Sequence, residues 1–202
     1  MYIPKINEQN DQAEIIAFIK RFNFGTIITS ENNIPTATHL PFVVVEEGHS
    51  FKVISHFAYA NPHWKLLEQG EHLIIFAEPH AYISTTHYEA ELVVPTWNYM
   101  SVHVYGKVKI IQDETAVFDV LDQTIQFYDA AYQMDWDAMP VDFRNRMVKG
   151  IVAFEFHPTT IQAKEKLSQN KTANERKAII DTLSKSPMSV EQQIAEYMKK
   201  SF

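Results

Sequence analysis

The residues that could hold a charged, planar ligand fall at three points of this chain. Asn61-Pro62 reads as the start of a short helix, where backbone N–H groups without partners make a ready anion site. Ser55 and His56 lie just before it and Trp64 just inside it. Trp97-Asn98-Tyr99 sets an amide between two aromatic rings, so the rings could wall a flat group while Asn98 meets its polar edge. Lys166 offers a cation for a charge-assisted contact with an anion. Each also has a plain structural use. Asn61 can cap its helix, Asn98 can steady a turn, the rings can fill a core or an interface, and Lys166 can be solvated.

Other chemistries lack their residues. There is no cysteine, which removes disulfides, thiolate metal sites, iron–sulfur clusters and cysteine nucleophiles. No Gly-x-Ser-x-Gly occurs, and with only five glycines there is neither a phosphate loop nor a dinucleotide fingerprint. The nine histidines invite a metal, yet His56 and His63 are seven apart, as are His80 and His87. Neither spacing suits the i, i+4 pair of a zinc-binding helix, so no metal site is expected. A haem, which needs one neutral imidazole as axial ligand, asks less of the sequence. Asp135-Trp136-Asp137 reads as a loop anchor, not an acid–base pair. No catalytic residue is assigned.

Charge narrows the partners. The 202 residues carry a net charge of −7, whereas binding to a nucleic-acid backbone draws on released counterions and needs basic contacts. The one local basic excess lies between residues 161 and 185, with six basic residues against three acidic. Direct DNA binding is therefore doubtful. The N-terminal residues show no apolar run behind a basic start, so no signal peptide is expected. The longest apolar runs, Leu40 to Val45 and Leu73 to Ala77, fall far short of the ~20 residues of a membrane span. A cytoplasmic protein is expected.

The elements that must position these residues follow from period and punctuation. Asp11 to Arg21 puts Ile15, Ile16, Phe18 and Ile19 on one helical face, with Asp11 as cap. Strands are expected at Phe24–Thr29, Thr36–Val45, Phe51–Phe57, His72–Phe76, Val102–Ile111 and Gly150–His157. Ser30 to Asn33 and Glu46 to His49 are the turns between the first three. Pro41 cannot donate to a ladder, so its strand should lie at an edge or be bulged there. Short helices are expected at Asn61–Leu67 and Val141–Val148, and longer ones at Glu114–Tyr128, Ala173–Leu183 and Val190–Lys199. Residues 78–100 show no period, and such long irregular segments are often functional. Six or seven strands with added helices indicate an α+β fold dominated by a small β-barrel. It forms one domain over 1–202: a barrel with inserted helices over 1–160 and a C-terminal helical appendage over 161–202.

Five strings in order go beyond the generic. They are Ala37-Thr38-His39-Leu40-Pro41-Phe42, Ser55 to Trp64 (SHFAYANPHW), Pro79-His80-Ala81-Tyr82-Ile83-Ser84, Val94 to Gly106, and Lys166-Leu167-Ser168-Gln169-Asn170. Together they resemble the PaiB family, described as FMN-binding negative transcriptional regulators, from Met1 to at least Arg176. The resemblance implies the FMN-binding split β-barrel shared with pyridoxamine-phosphate oxidases and flavin reductase-like proteins. It implies FMN as cofactor, and a homodimer with FMN at the subunit interface. Carried over from the oxidases, Thr38, His39 and Leu40 would lay flavin contacts along a strand, and Ser55, His56, Asn61 and Trp64 would form the phosphate cradle. Where the oxidases put an Arg-Lys pair in that cradle, this chain has the neutral Ala60-Asn61. The string holding Lys166, Gln169 and Asn170 sits where the oxidases carry a basic string after their last strand. The function implied is that of a flavin-dependent transcriptional regulator. A flavin oxidoreductase of unknown substrate, or a haem-binding or haem-degrading split-barrel protein, is the alternative.

Overall fold

In the computed structural model, residues 1–48, 50–89 and 92–201 are described. Strand β1 (Glu8–Gln9) leads to helix α1 (Gln12–Arg21). Asp11 Oδ1 accepts from the N–H groups of Ala13 and Glu14 at 2.8 and 3.3 Å, so Asp11 is the cap. Strand β2 (Phe24–Glu31) pairs with β3 (Ile34–Pro41) around Asn32-Asn33, both at positive φ. Asparagine tolerates that conformation, and two such residues close a tight hairpin. The turn is thus shorter than expected, because Ser30 and Glu31 stay in the ladder.

The expected strand Thr36–Val45 is two strands, β3 and β4 (Val43–Glu47), broken at Phe42 beside Pro41. Both are the outer members of the sheet path β3-β2-β6-β8-β9-β5-β4. This is the edge placement that the missing proline donor demands. Gly48 turns the chain at φ +62°, and His49 of that turn lies outside the described residues. Strand β5 (Ser50–Ala58) is followed by a 3-10 helix at Pro62–Leu66 and by β6 (His72–Phe76).

The irregular segment holds β7 (His80–Ile83) and the start of β8 (Thr96–Ile110). Thus β8 begins six residues earlier than its period announced. Helices α2 (Glu114–Tyr128) and α4 (Val141–Val148) match expectation, and α3 (Gln133–Ala138) stands between them. Trp136 in α3 is buried and donates its indole N–H to Asp122 at 3.1 Å. Trp136 is thus an anchor as expected, but on a helix and not in the loop expected of Asp135-Trp136-Asp137. Strand β9 (Ile151–Lys166) runs nine residues beyond His157, so residues 161–166 are strand, while the C-terminal helices stand where expected, as α5 (Ala173–Leu183) and α6 (Ser189–Lys200).

The chain divides into two compact units. The larger, Ile16–Phe76 with His103–Ile161, holds a core of Phe42, Phe57, Phe76, Phe154 and Phe156, all fully buried. Phe42 meets Phe76 edge-on at 5.5 Å, and Phe57 meets Phe154 at 5.3 Å. Each such ring contributes about 1.5–3 kcal/mol by leaving water. Val117, Val120 and Val148 close a second cluster over Val43, Ile54 and Ala153. The smaller unit, Met1–Ile15, Ala77–Val102 and Gln162–Phe202, packs Ile179, Ile180 and Leu183 of α5 with Ile194 and Met198 of α6. Thr172 and Glu175 form a reciprocal capping box at the start of α5.

Candidate functional site

In the larger unit, β3 carries Thr38, His39 and Leu40, the last of them buried. Thr38 Oγ1 lies 2.7 Å from His63 Nδ1 and accepts from Asn61 Nδ2 at 3.3 Å. The hydroxyl has a second lone pair as well as its own hydrogen, so it donates to His63 Nδ1 or accepts from it according to the His63 tautomer. His63 is 2% exposed and its Nε2 has no partner among the described residues. Burial pushes the His63 pKa down, helped by the nearby His72, and burial does the same at His56.

The anion site expected at Asn61-Pro62 is poorer than a helix start promises. The helix is a five-residue 3-10 turn, and Asn61 Oδ1 already takes the His63 N–H at 3.0 Å. Ser55 Oγ donates to the Pro41 carbonyl at 2.6 Å, and Trp64 donates to the Tyr59 carbonyl at 3.0 Å. His39 stacks on Phe24 at 6.4 Å and is exposed. So Thr38 and Asn61 are drawn together around His63, while Ser55 and Trp64 spend their donors on the backbone.

In the smaller unit, β8 presents Trp97, Asn98 and Tyr99, and the end of β9 presents Lys164 and Lys166. Lys166 Nζ donates to Thr96 Oγ1 and, at 2.6 Å, to the Trp97 carbonyl. Lys164 is 7% exposed and donates to the Tyr99 hydroxyl at 2.6 Å and to the Tyr2 carbonyl at 3.2 Å. Neither lysine has a carboxylate partner among the described residues. Burial and the charge of Lys164 push the Lys166 pKa down. A buried cation and a half-buried one two residues on, neither with a carboxylate partner among the described residues, make an environment that favours an anion.

Asn98 is fully buried. Its Oδ1 accepts from Ser168 Oγ at 3.1 Å, and its Nδ2 meets Met198 Sδ at 3.5 Å. Ser168 holds a left-handed φ of +58°. Gln169 then turns back, accepting from the Leu167 N–H and donating to the Glu165 carbonyl. Asn98, Lys166, Gln169 and Asn170 all line one cavity of about 370 Å³. That volume is within the range of small-molecule sites.

Lys164, Lys171, Tyr88, Asn7 and His63 were not singled out by sequence. Lys164 had a legible signal, since residues two apart on a strand share a face. It was hidden while β9 was thought to end at His157.

A family model described as "Putative FMN-binding domain" matches residues 1–160. The chain belongs to this FMN-binding family, of the PaiB type. It is 37% identical over 203 residues to protease synthase and sporulation protein PAI 2 of Bacillus subtilis (strain 168), covering 98% of this chain and 97% of that protein. Among solved structures it is similar to the flavocytochrome Anf3 from Azotobacter vinelandii, with a TM-score of 0.63 at 16% identity over 81% of this chain and 72% of that one. It is also similar to the FAD and heme binding protein from Mycobacterium smegmatis, with a TM-score of 0.64 at 12% identity over 85% and 79%. At such identities the likeness shows the fold, a flavin-binding split β-barrel. FMN is the cofactor of this PaiB-type family.

The residues fit that group. The uncompensated Lys164 and Lys166 suit a phosphate, and the cavity edge offers the buried Asn98 amide. No described helix is long and apolar enough to cross a membrane.

Proposed function

We propose that the protein is a cytoplasmic homodimer that holds FMN at the subunit interface and acts as a flavin-dependent regulator. FMN, when bound, supplies reversible acceptance of electrons or hydride. In this reading Lys166, with Lys164 behind it, binds the phosphate. Asn98 meets the ring edge and Trp97 walls the ring. Gln169 and Asn170 close the same cavity. The carry-over from the oxidases adds Thr38, His39, Leu40, Ser55, His56, Asn61 and Trp64 as flavin contacts on the larger unit. His56, kept neutral by burial, serves as a hydrogen-bonding group and not as a counter-ion.

The observation that carries this reading is the lysine pair. A lysine 7% exposed and a second two residues on, both bonded only to neutral oxygens, leave an anion's charge unmet. The dimer is supported by Tyr82 and Trp97, which pack edge-on at 5.7 Å and stay 48% and 52% exposed in a single chain. Large amphipathic rings of this kind are enriched at interfaces. The regulatory role follows the name of the Bacillus relative, a protease synthase and sporulation protein.

An absorption spectrum after reconstitution tests the cofactor. Incubation with FMN and desalting should leave flavin bands at one FMN per chain. A Soret band after incubation with haemin, with no retained flavin, would replace this reading by the haem-binding one.

A further inference from the structure

The cavity in the smaller unit has lining residues that the proposed flavin contacts do not use. Besides Asn98 and Lys166 it is lined by Tyr88, Lys171 and Asn7 and by the apolar Pro4, Ile6 and Val94. The ammonium of Lys171 sits 3.7 Å from the centroid of the Tyr88 ring. That is a close cation–π contact, and it fixes the charge over the ring face. Lys171 Nζ makes no hydrogen bond to a described residue. Glu175 feels its charge, but both Glu175 oxygens are occupied by the N–H groups of Thr172 and Glu89, at 3.0 and 3.2 Å. The Tyr88 hydroxyl is buried and has no partner among the described residues. Asn7 is 8% exposed and lines the same cavity.

A buried hydroxyl without an acceptor is costly to leave unmet, and the Lys171 ammonium and the Asn7 side chain line the same cavity. All three can be satisfied by one acceptor group. A hydroxyl and an ammonium side by side match the two oxygens of a carboxylate, in charge-assisted geometry. Burial together with the Glu175 charge pushes the Tyr88 pKa up, so the phenol stays protonated and can only donate to an anion. The apolar residues need an apolar body on the same molecule. At about 370 Å³ the cavity has the volume of about a dozen water molecules, ample for a one-ring compound.

We propose that these residues form a second ligand site, which takes a small organic carboxylate beside the bound flavin. Lys171 and Tyr88 hold the carboxylate, Asn7 donates to it, and Ile6 and Val94 cover the body. The inference rests on the FMN reading, because it places the carboxylate in the cavity that Asn98 and Lys166 also line. It identifies the ligand class on which a flavin-dependent activity or a flavin-dependent signal would act.

The test uses benzoate as the probe on the full chain loaded with FMN. Difference absorbance of the flavin should show a saturable perturbation, and benzamide, which lacks the charge, should bind at least about tenfold more weakly. Lys171→Met and Tyr88→Phe should each weaken benzoate about tenfold or more while FMN affinity is unchanged. The exposed Lys177→Met should match the parent. Unchanged FMN affinity in the variants also certifies their fold. Benzoate binding that is absent, or equal in parent, Lys171→Met and Tyr88→Phe, overturns the proposal. Competitive displacement of FMN by benzoate overturns it too, because the cavity would then belong to FMN alone. If the chain takes up no FMN at all, the cofactor reading fails by itself. Calorimetry of benzoate with the flavin-free parent and variants then decides the carboxylate site independently.

Discussion

Lys166 Nζ lies 2.6 Å from the carbonyl oxygen of Trp97. One cation is thereby tied to the strand that carries both the exposed Trp97 ring and the fully buried Asn98 amide. The bond leaves Lys166 with donor capacity to spare, since an ammonium has three N–H groups and, among the described residues, only Thr96 Oγ1 takes another. Charge, ring and amide are held in fixed relation by neighbouring positions of β8 and a single side chain of β9.

The pairing of Tyr82 with Trp97 leads to a prediction about assembly. Light scattering at micromolar concentration should give a dimer, and Trp97→Glu should shift it toward monomer by burying an unpaired charge in the interface. A monomeric parent protein would remove the basis for placing FMN between subunits.

Binding to DNA should be weak and without sequence preference at physiological salt. The basic excess between residues 161 and 185 is partly consumed inside the fold. Lys164 is buried, and Arg176 donates to the Met198 carbonyl and to Ser201. Too few cations are left to release many counterions. Nanomolar, sequence-selective binding to a duplex in a mobility-shift assay would show that the chain itself reads DNA.

Acid sensitivity should centre partly on Glu155. It accepts from Lys52 at 2.8 Å and from Lys109 at 3.4 Å, and the Lys52 contact above all holds its carboxyl below the usual range. A depressed carboxyl contributes stability that is complete above its unfolded pKa and is lost as pH falls through the folded one. Lys52, raised mainly by its hydrogen bond to Glu155, contributes below its own unfolded pKa and loses that contribution as pH rises through the folded value. Glu155→Gln should therefore cost about 1 kcal/mol near pH 7, a figure kept low for solvent screening. The cost should vanish on acidification through the Glu155 titration. Chemical denaturation of both proteins across pH measures this, and a cost that persists at pH 2 would assign it to packing.

Gly106 on β8 is a steric test of the β8–β9 contact in the larger unit. A Cβ there would meet the His157 carbonyl oxygen at 2.3 Å and Phe156 Cε1 at 2.5 Å. Backbone cannot yield as a side chain can. Gly106→Ala should cost about 1–3 kcal/mol or more, seen as a melting temperature lower by roughly 2–4 °C per kcal/mol. An unchanged melting temperature would mean that the two strands are further apart.

Much of this architecture is legible in the sequence where capping and period agree. Asp113, whose Oδ1 accepts from the Ala116 N–H at 2.9 Å, marks the start of α2, and the amphipathic period carries it to Tyr128. Pro41 announced an edge, and β3 and β4 are the edges. The losses have physical causes. The early part of β8 alternates in burial, but its buried face carries the polar Asn98 and its other face the half-exposed Trp97 ring, so no apolar alternation shows in the sequence. The strand expected to end at His157 passes through Pro158. β5 pairs as far as Phe156, and β1 pairs at Ala163 and Lys164, so the proline lies between the two registers. At the site, the strings around Thr38, Asn61, Asn98 and Lys166 could be found by residue type. The environments of Lys164, Tyr88 and His63 could not, because whether a lysine or a hydroxyl lacks a partner is settled by residues distant in sequence. Tyr2 and Tyr99 meet Lys164 from 162 and 65 positions away.

The most direct test of the central claim compares FMN with riboflavin by fluorescence quenching in the parent, Lys166→Ala and Lys177→Ala. The two ligands share the ring and differ in the phosphate, so the ratio of their affinities isolates the phosphate contact. A charge-assisted contact contributes about 1.5–3 kcal/mol, roughly ten- to a hundred-fold in affinity. The parent should prefer FMN, Lys166→Ala should lose most of that preference with riboflavin affinity retained, and Lys177→Ala, exposed on α5, should behave as the parent. Equal affinity of the parent for FMN and riboflavin, or a preference for FMN undiminished in Lys166→Ala, would contradict the account.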